Sequence, residues 1–103
     1  MGDPMRIRAI KKGKITEVKI LIRHRMLSRL SWDNSGKLVL PHFIKTVKGV
    51  CNENPILYVH FGGSVAKDPY FSFKFKGGNK GDIVKITWID TEDDERTDQV
   101  AIT

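Results

Sequence analysis

Hydrophobic and polar residues alternate with a period of two along most of the chain, which is the period of a β-strand with one buried face. In Tyr70–Lys76 the three phenylalanines fall on one face and the serine and lysines on the other. Ile15–Arg23 and Ile83–Asp90 follow the same rule, with branched apolar residues or tryptophan on the apolar face. The pattern predicts that all three segments are half-buried strands.

Shorter or less regular strands are predicted at Arg6–Ile10, Lys37–Leu40, Phe43–Cys51, Ile56–Phe61 and Arg96–Thr103. Clusters of glycine, asparagine, aspartate and proline separate the strands, at residues 33–36, 52–55 and 77–81. Strict alternation in Phe43–Cys51 places Val47 and Cys51 on the opposite face from Ile44. We therefore expect Cys51 to face the core as a small hydrophobic residue.

Seven or eight short strands without a convincing helix predict an all-β domain. Their spacing is typical of a β-sandwich, with an immunoglobulin-like arrangement of about seven short antiparallel strands and Greek-key connections as the leading candidate. A small barrel is the alternative. The length of 103 residues indicates one domain, which we assign to residues 5–103, with residues 1–4 as an N-terminal extension or cloning remnant.

Composition indicates an ordinary folded, soluble chain, with 40% hydrophobic and 29% charged residues. No apolar run approaches the ~18 residues of a membrane-spanning helix, so we expect no membrane contact. The first residues also lack the apolar stretch of a signal peptide. The single cysteine, Cys51, excludes an internal disulfide and a multi-cysteine zinc site.

Charge is unevenly distributed. Residues 1–48 carry 12 basic and 3 acidic side chains, whereas residues 49–103 carry 6 and 9, within a net charge of +6. A basic half is typical of proteins that bind nucleic acid, because neutralised phosphates release counterions. No RNP-type strand, GxxG clamp or metal finger accompanies the charge, so we favour lysines on the solvent faces of strands and expect no nucleic-acid binding. A basic β-domain that binds nucleic acid is kept as an alternative.

Metal binding is the next possibility, because β-sandwiches often host metal ions. The candidate ligands are His24, His42, His60, Cys51, Met5 and Met26. A blue-copper site needs a methionine closely after its cysteine and histidine, and no methionine follows Met26. Three histidines are also too few for an iron site of the superoxide-reductase type. We predict no metal and no cofactor, and keep a small β-sandwich metalloprotein as an alternative.

Catalytic motifs are equally absent from the sequence. Cys51 has no basic neighbour at motif spacing, and no Gly-x-Ser-x-Gly occurs. Gly62–Ser64 is followed neither by a Walker lysine nor by a predicted helix. The acidic run at residues 90–95 lacks EF-hand spacing and is interpreted as a solvated hairpin turn. We predict that the protein is not an enzyme.

Aromatic, methionine and arginine residues gather instead beside the ends of the predicted strands, which is the composition of protein–protein hot spots. These segments resemble the SoxZ family, the Z subunits of the SoxYZ sulfur carrier of bacterial thiosulfate oxidation. The resemblance runs from about Arg6 to Thr103, with the family's His-Pro-Met replaced by His24–Arg25–Met26. The matching segments are Lys12–Gly13, Glu17–Ile20, Ile22–His24, Leu40–Ile44, Asp68–Phe73, Thr87–Asp90 and Ala101–Ile102.

The resemblance implies an immunoglobulin-like, non-catalytic subunit that forms a heterodimer with SoxY. In that family SoxY carries sulfur covalently on a cysteine in a glycine-rich C-terminal arm, and this chain ends without such an arm. The resemblance also implies a periplasmic location reached by export with SoxY, transient contacts with other Sox enzymes, and a possible homodimer of the isolated chain. The residues expected to contact a partner are His24, Met26, Phe43, Tyr70 and Phe71.

Overall fold

A computed structural model describes residues 3–24, 26, 31–61 and 67–103. Within these ranges the chain forms strands and no helix, which confirms the all-β prediction. The strands are β1 (Arg6–Lys12), β2 (Ile15–Leu21), β3 (Ser31–Trp32), β4 (Leu38–Val39), β5 (Ile44–Cys51), β6 (Asn54–His60), β7 (Tyr70–Lys76), β8 (Ile83–Asp90) and β9 (Glu95–Ala101). Since the described part of the chain contains no helix, it offers none that could cross a membrane.

Two antiparallel sheets form the sandwich, one with the order β1-β2-β7 and the other with the order β6-β5-β8-β9. The pairs β2–β7 and β5–β8 join strands that are distant in sequence, so the chain crosses repeatedly between the sheets. This is the Greek-key, immunoglobulin-like arrangement that the strand spacing predicts. Strands β3 and β4 form a separate two-stranded hairpin.

The central strands of the two sheets supply the middle of the core. Val18 and Ile20 of β2 and Ile86 and Trp88 of β8 are fully buried, as alternation predicts. The phenylalanines of β7 pack against this cluster from the edge of the three-stranded sheet. Hydrophobic burial of this kind is the main favourable contribution to folding.

Strict alternation in β5 is a wrong prediction. Ile44 and Val47 were expected on opposite faces, yet both are fully buried in the core. A bulge between Ile44 and Thr46, in the pairing with β8, adds one residue to the strand. The added residue, Lys45, is exposed, and the bulge returns both apolar side chains to the same face.

The turn between β5 and β6 is shorter than predicted. It was expected over residues 52–55, but β6 already begins at Asn54. Asn52 and Glu53 have φ values of 50° and 69°, and two consecutive left-handed residues are characteristic of a tight two-residue hairpin. Pro55 is accommodated because β6 is an edge strand and the ladder is irregular between Gly49 and Val50.

Candidate functional site

Loops at one end of the sandwich bring together three side chains that are far apart in sequence. His24 lies just after β2, His42 lies just before β5, and Asp90 is the last residue of β8. Nε2 of His24 lies 3.1 Å from Asp90 Oδ2, and Nε2 of His42 lies 2.7 Å from the same oxygen. We call these three residues the His–Asp–His cluster.

Asp90 is fully buried, with hydrogen bonds to both carboxylate oxygens. Oδ1 accepts the backbone N–H groups of Glu92, at 2.9 Å, and Asp94, at 3.0 Å. Burial by itself raises the pKa of Asp90, but the hydrogen bonds from His24, His42 and the two backbone amides outweigh it, so the pKa lies below its ordinary value. The interpretation of Asp90 as part of a solvated turn is therefore wrong.

The hydrogen bonds of His24 determine its tautomer. Its Nδ1 accepts the backbone N–H of Met26 at 3.1 Å, so the proton of the neutral ring is on Nε2 and is donated to Asp90. Met26 has a left-handed φ of 49°, and its sulfur accepts the backbone N–H of Ile44 at 3.3 Å. His24 and Met26 together hold the chain after β2 against the start of β5.

His42 is the solvent-facing member of the cluster. Its side chain is 17% exposed, compared with 4% for His24, and the two rings meet edge to face with centroids 4.7 Å apart. Nδ1 of His42 lies 3.7 Å from a carboxylate oxygen of Glu92. The ring of His42 therefore lies between two carboxylates, the buried one of Asp90 and the exposed one of Glu92.

An open cleft of about 380 Å³ lies over the cluster, lined among others by Arg23, Lys67 and Asp68. Asp68 accepts the backbone N–H of His24 on Oδ1 at 3.0 Å and donates its own N–H to the His24 carbonyl at 2.9 Å. Trp88 lies beneath, with its indole edge to face with the His24 ring at 5.2 Å. Within the described ranges Trp88 Nε1 has no hydrogen-bond partner.

The cluster has the ligand types of a metal site, because one nitrogen from each histidine and one Asp90 oxygen lie within 4.8 Å of one another. Two histidines and a carboxylate suit ions such as zinc or iron. A metal-bound His24 would present a lone pair on Nε2 and carry its proton on Nδ1, where metal-ligating histidines normally donate to an acceptor. Here Nδ1 faces a donor, the N–H of Met26. The arrangement therefore fits bound protons better than a metal ion.

Of the other candidate ligands, Met26 contacts His24 through its backbone N–H, whereas His60 and Cys51 lie outside the cluster. His60 is exposed at the end of the edge strand β6, and Cys51 is buried at the opposite end of β5 from the cluster. Burial, followed by the charge of Asp82, raises the pKa of the Cys51 thiol. Arg25 and the glycine-rich segment 62–64 lie outside the described residues.

The five residues expected to contact a partner all lie at the loop end of the sandwich, with different accessibility. His24 and Met26 are buried, and Phe43 and Phe71 are half-buried, the latter against the ring of Phe61 at 5.7 Å. Tyr70 is 61% exposed. Their contact with a partner stays a prediction. Of the five, Tyr70 is the residue whose side chain is largely exposed, so it is the best placed to contact a partner directly.

Two features of this end are not among the five partner-contact residues predicted from the sequence. The first is the β3–β4 hairpin, where Trp32 and Leu38 are paired across the strands and are 71% and 48% exposed. Leu40, which follows, is 62% exposed. The second is Asp90, for which a signal was available, because alternation from Trp88 places it on the buried face.

Fold and site together define a small immunoglobulin-like β-sandwich in which a buried polar cluster fixes the loops at one end. A protein-family model described as "Sulphur oxidation protein SoxZ" matches residues 5–101 of the 103-residue chain. The chain belongs to the SoxZ family, which confirms the resemblance found in the sequence and implies a role in sulfur oxidation. A search of curated proteins found no match.

Proposed function

We propose that this chain is the non-catalytic Z subunit of a heterodimeric SoxYZ sulfur carrier. In this role it binds SoxY, whose C-terminal cysteine arm carries the covalent sulfur intermediates of thiosulfate oxidation. The observation that carries the proposal is the family match over residues 5–101. Export of the pair would place the protein in the periplasm, and transient contacts would then follow with the Sox enzymes that act on the carried sulfur.

The surface that best fits a stable partner is the exposed apolar set at the loop end. We call it the loop-end surface, and its members are Trp32, Leu38, Leu40 and Tyr70. Large exposed apolar side chains of this kind mark interaction sites, and tryptophan and tyrosine are enriched among the residues that dominate binding energy. An isolated chain would also cover this surface by self-association, which accounts for a possible homodimer.

The His–Asp–His cluster supports this surface from within. Asp90 holds His42 and thereby the segment that follows Leu40, while His24 is clamped by Asp68, two residues before Tyr70. We infer that the cluster positions the loop-end surface and takes no part in chemistry. Ordered loops bind with a smaller entropy cost than mobile ones.

A non-catalytic role also agrees with the state of the only cysteine. Cys51 is buried and the pKa of its thiol is raised, so little reactive thiolate is present near neutral pH. The reactive thiol of the proposed carrier therefore comes from SoxY.

The test is co-expression with the SoxY of the same host, purification through a tag on this chain, and native mass spectrometry. The proposal predicts a one-to-one heterodimer, whereas recovery of this chain without SoxY, with both proteins folded, would refute it. Trp32→Ala/Leu38→Ala should weaken the heterodimer. Tyr58→Ala is the matched control, since Tyr58 is similarly exposed but lies on the four-stranded sheet.

A further inference from the structure

The outer face of the three-stranded sheet is strongly basic. Strand register aligns outward-pointing residues of β1, β2 and β7 in rows, such as Arg8–Lys19–Ser72. We call this the basic face. Its six cations are Arg6, Arg8, Lys12, Lys19, Lys74 and Lys76. Its single acid is Glu17.

Most of these cations lack a compensating carboxylate. Glu17 forms an ion pair with Lys12 at 3.0 Å and lies opposite Lys74, and among the described residues no other cation of the face forms an ion pair with a carboxylate. The pKa of Glu17 is lowered by its hydrogen bond from Lys12 and by the charges of Lys12, Lys19 and Lys74. Arg8 and Lys19 stand directly opposite each other across two strands, which is an unfavourable like-charge pair.

Protection of sheet edges explains only part of this arrangement, because five of the six cations lie on the edge strands β1 and β7 and one does not. Lysines that prevent edge-to-edge aggregation belong on edge strands, but Lys19 lies on the central strand β2. The outer face of the other sheet shows that such charge is not general, because Lys48 there is flanked by Tyr58 and Thr87. The like-charge pair of Arg8 and the central-strand Lys19 is therefore explained neither by edge protection nor by the stability of the sheet.

We propose that the basic face docks the acidic surface of a second protein, one that meets the carrier transiently. The inference rests on the proposed carrier function and concerns the enzymes that act on the carried sulfur rather than SoxY itself. Lysine is depleted from the cores of stable interfaces, whereas complementary charge accelerates encounter and leaves residence times short. A face whose centre is Arg8 and Lys19 fits the second case.

The side chains between the charges favour a protein over nucleic acid. Sequence-tolerant binding of single strands uses several aromatic residues on which successive bases stack. Tyr70 is the only aromatic residue in the aligned rows of the basic face, and it lies at one corner. Ile10, Ile15 and Leu21 provide apolar contacts between the cations instead, as the mixed surface of a protein partner requires.

The test uses the SoxYZ heterodimer as substrate of a purified Sox enzyme from the same host. The variant Arg8→Glu/Lys19→Glu reverses the charge at the centre of the face and keeps a like-charge pair at these two positions, although it also removes the attraction between Lys19 and Glu17. The control Lys48→Glu/Lys85→Glu makes the same change in net charge on the other sheet, at two exposed positions. Thermal unfolding of both variants verifies that they fold.

At low salt we expect kcat/KM to fall about tenfold or more for the basic-face variant, the usual scale of electrostatic steering, and less than about twofold for the control. The wild type should lose its advantage as salt rises to about 1 M, where the Debye length is about 3 Å. Equal losses in the two variants, or no loss in either, would overturn the proposal.

Three further readouts separate this inference from the proposed function. If the wild type forms no heterodimer, the carrier proposal fails, and the isolated chain is titrated with a Glu-rich peptide. Amide NMR shifts concentrated at Arg8 and Lys19 would still support an acidic protein partner, and equal shifts at Lys48 and Lys85 would overturn it.

Loss of the heterodimer in the basic-face variant alone would place SoxY on this face and refute the transient role. Binding of a mixed-sequence oligonucleotide that depends on Arg8 and Lys19, with unchanged enzyme kinetics, would assign the face to nucleic acid and refute a protein partner.

Discussion

Asp90→Asn is the most informative single substitution, because an amide cannot replace the four hydrogen bonds that the carboxylate accepts. The carboxylate receives two imidazole N–H groups on one oxygen and two backbone N–H groups on the other. Asparagine has one carbonyl oxygen and one NH₂ group. In either orientation its NH₂ group therefore faces two N–H groups that also donate, and two hydrogen bonds are lost. His42 can relieve one conflict by moving its proton to Nδ1, next to Glu92. His24 cannot, because Met26 occupies its Nδ1.

The expected cost follows from the bonds that remain broken. A hydrogen bond to a charged group contributes about 1.5–3 kcal/mol, so one or two unrecovered bonds lower the free energy of unfolding by roughly 2–5 kcal/mol. This is a large part of the about 5–15 kcal/mol that stabilises a small domain. Urea unfolding followed by circular dichroism should show a lower midpoint with an unchanged slope.

The control is Asp93→Asn in the same turn, where the side chain is 89% exposed and makes only a long ion pair with Lys45 at 3.5 Å. We expect a change within about 0.5 kcal/mol, as for other surface positions. A similarly small effect of Asp90→Asn would refute the view that the cluster organises the loop end.

The same reasoning fixes the direction of the pH dependence. The pKa of Asp90 lies below its ordinary value of 3.8, so its stabilising contribution is present above that pH and is lost as pH falls through the lower folded-state value. The stability difference between wild type and Asp90→Asn should therefore shrink in strong acid. A difference that grows there would contradict the assignment of Asp90 as a carboxylate.

Further predictions concern metal, partner binding and backbone conformation. Dialysis against a chelator should leave the melting temperature unchanged, since the cluster is held by protons; a fall of several degrees, reversed by zinc or iron, would contradict this. Trp32→Ala should weaken SoxY binding by about 2–4 kcal/mol, which is roughly 30- to 1,000-fold in the dissociation constant measured by titration calorimetry. The melting temperature should not change. An unchanged affinity would exclude the β3–β4 hairpin from the interface. Gly78→Ala should lower the free energy of unfolding by about 1–3 kcal/mol, because φ is 77° and an added Cβ would lie 2.9 Å from atoms of Ile102 and Thr16. The control is Gly13→Ala, where φ is 65° and an added Cβ would meet open space. In the same urea assay this control should lower the free energy of unfolding by less.

A structural feature can be predicted from the sequence when it is determined by residues close together in the chain. Alternation in β7 and β8 identifies buried and exposed faces correctly, because the pleat imposes a period of two on every strand. It fails in β5, because a bulge is decided by pairing with β8 and not by the residues of β5 alone. It also makes the turn at residues 52–55 too long, because the real turn uses left-handed conformations at Asn52 and Glu53 that asparagine tolerates but glutamate rarely adopts.

The candidate site was predictable in its parts and not in its assembly. The sequence alone indicated the β-sandwich, the family, the burial of Cys51 and the end of the sandwich where candidate residues gather. It could not join His24 or His42 to Asp90, which lie 66 and 48 residues away: His42 meets Asp90 because β5 and β8 pair, and His24 meets it because the two sheets pack together. The basic face has the same origin, since Lys74 and Lys76 come from the acidic half of the chain and join Arg8 and Lys19 only through strand register. Periodicity is a local property of the chain, whereas a site is made by contacts between distant segments, and those contacts exist only in the folded molecule.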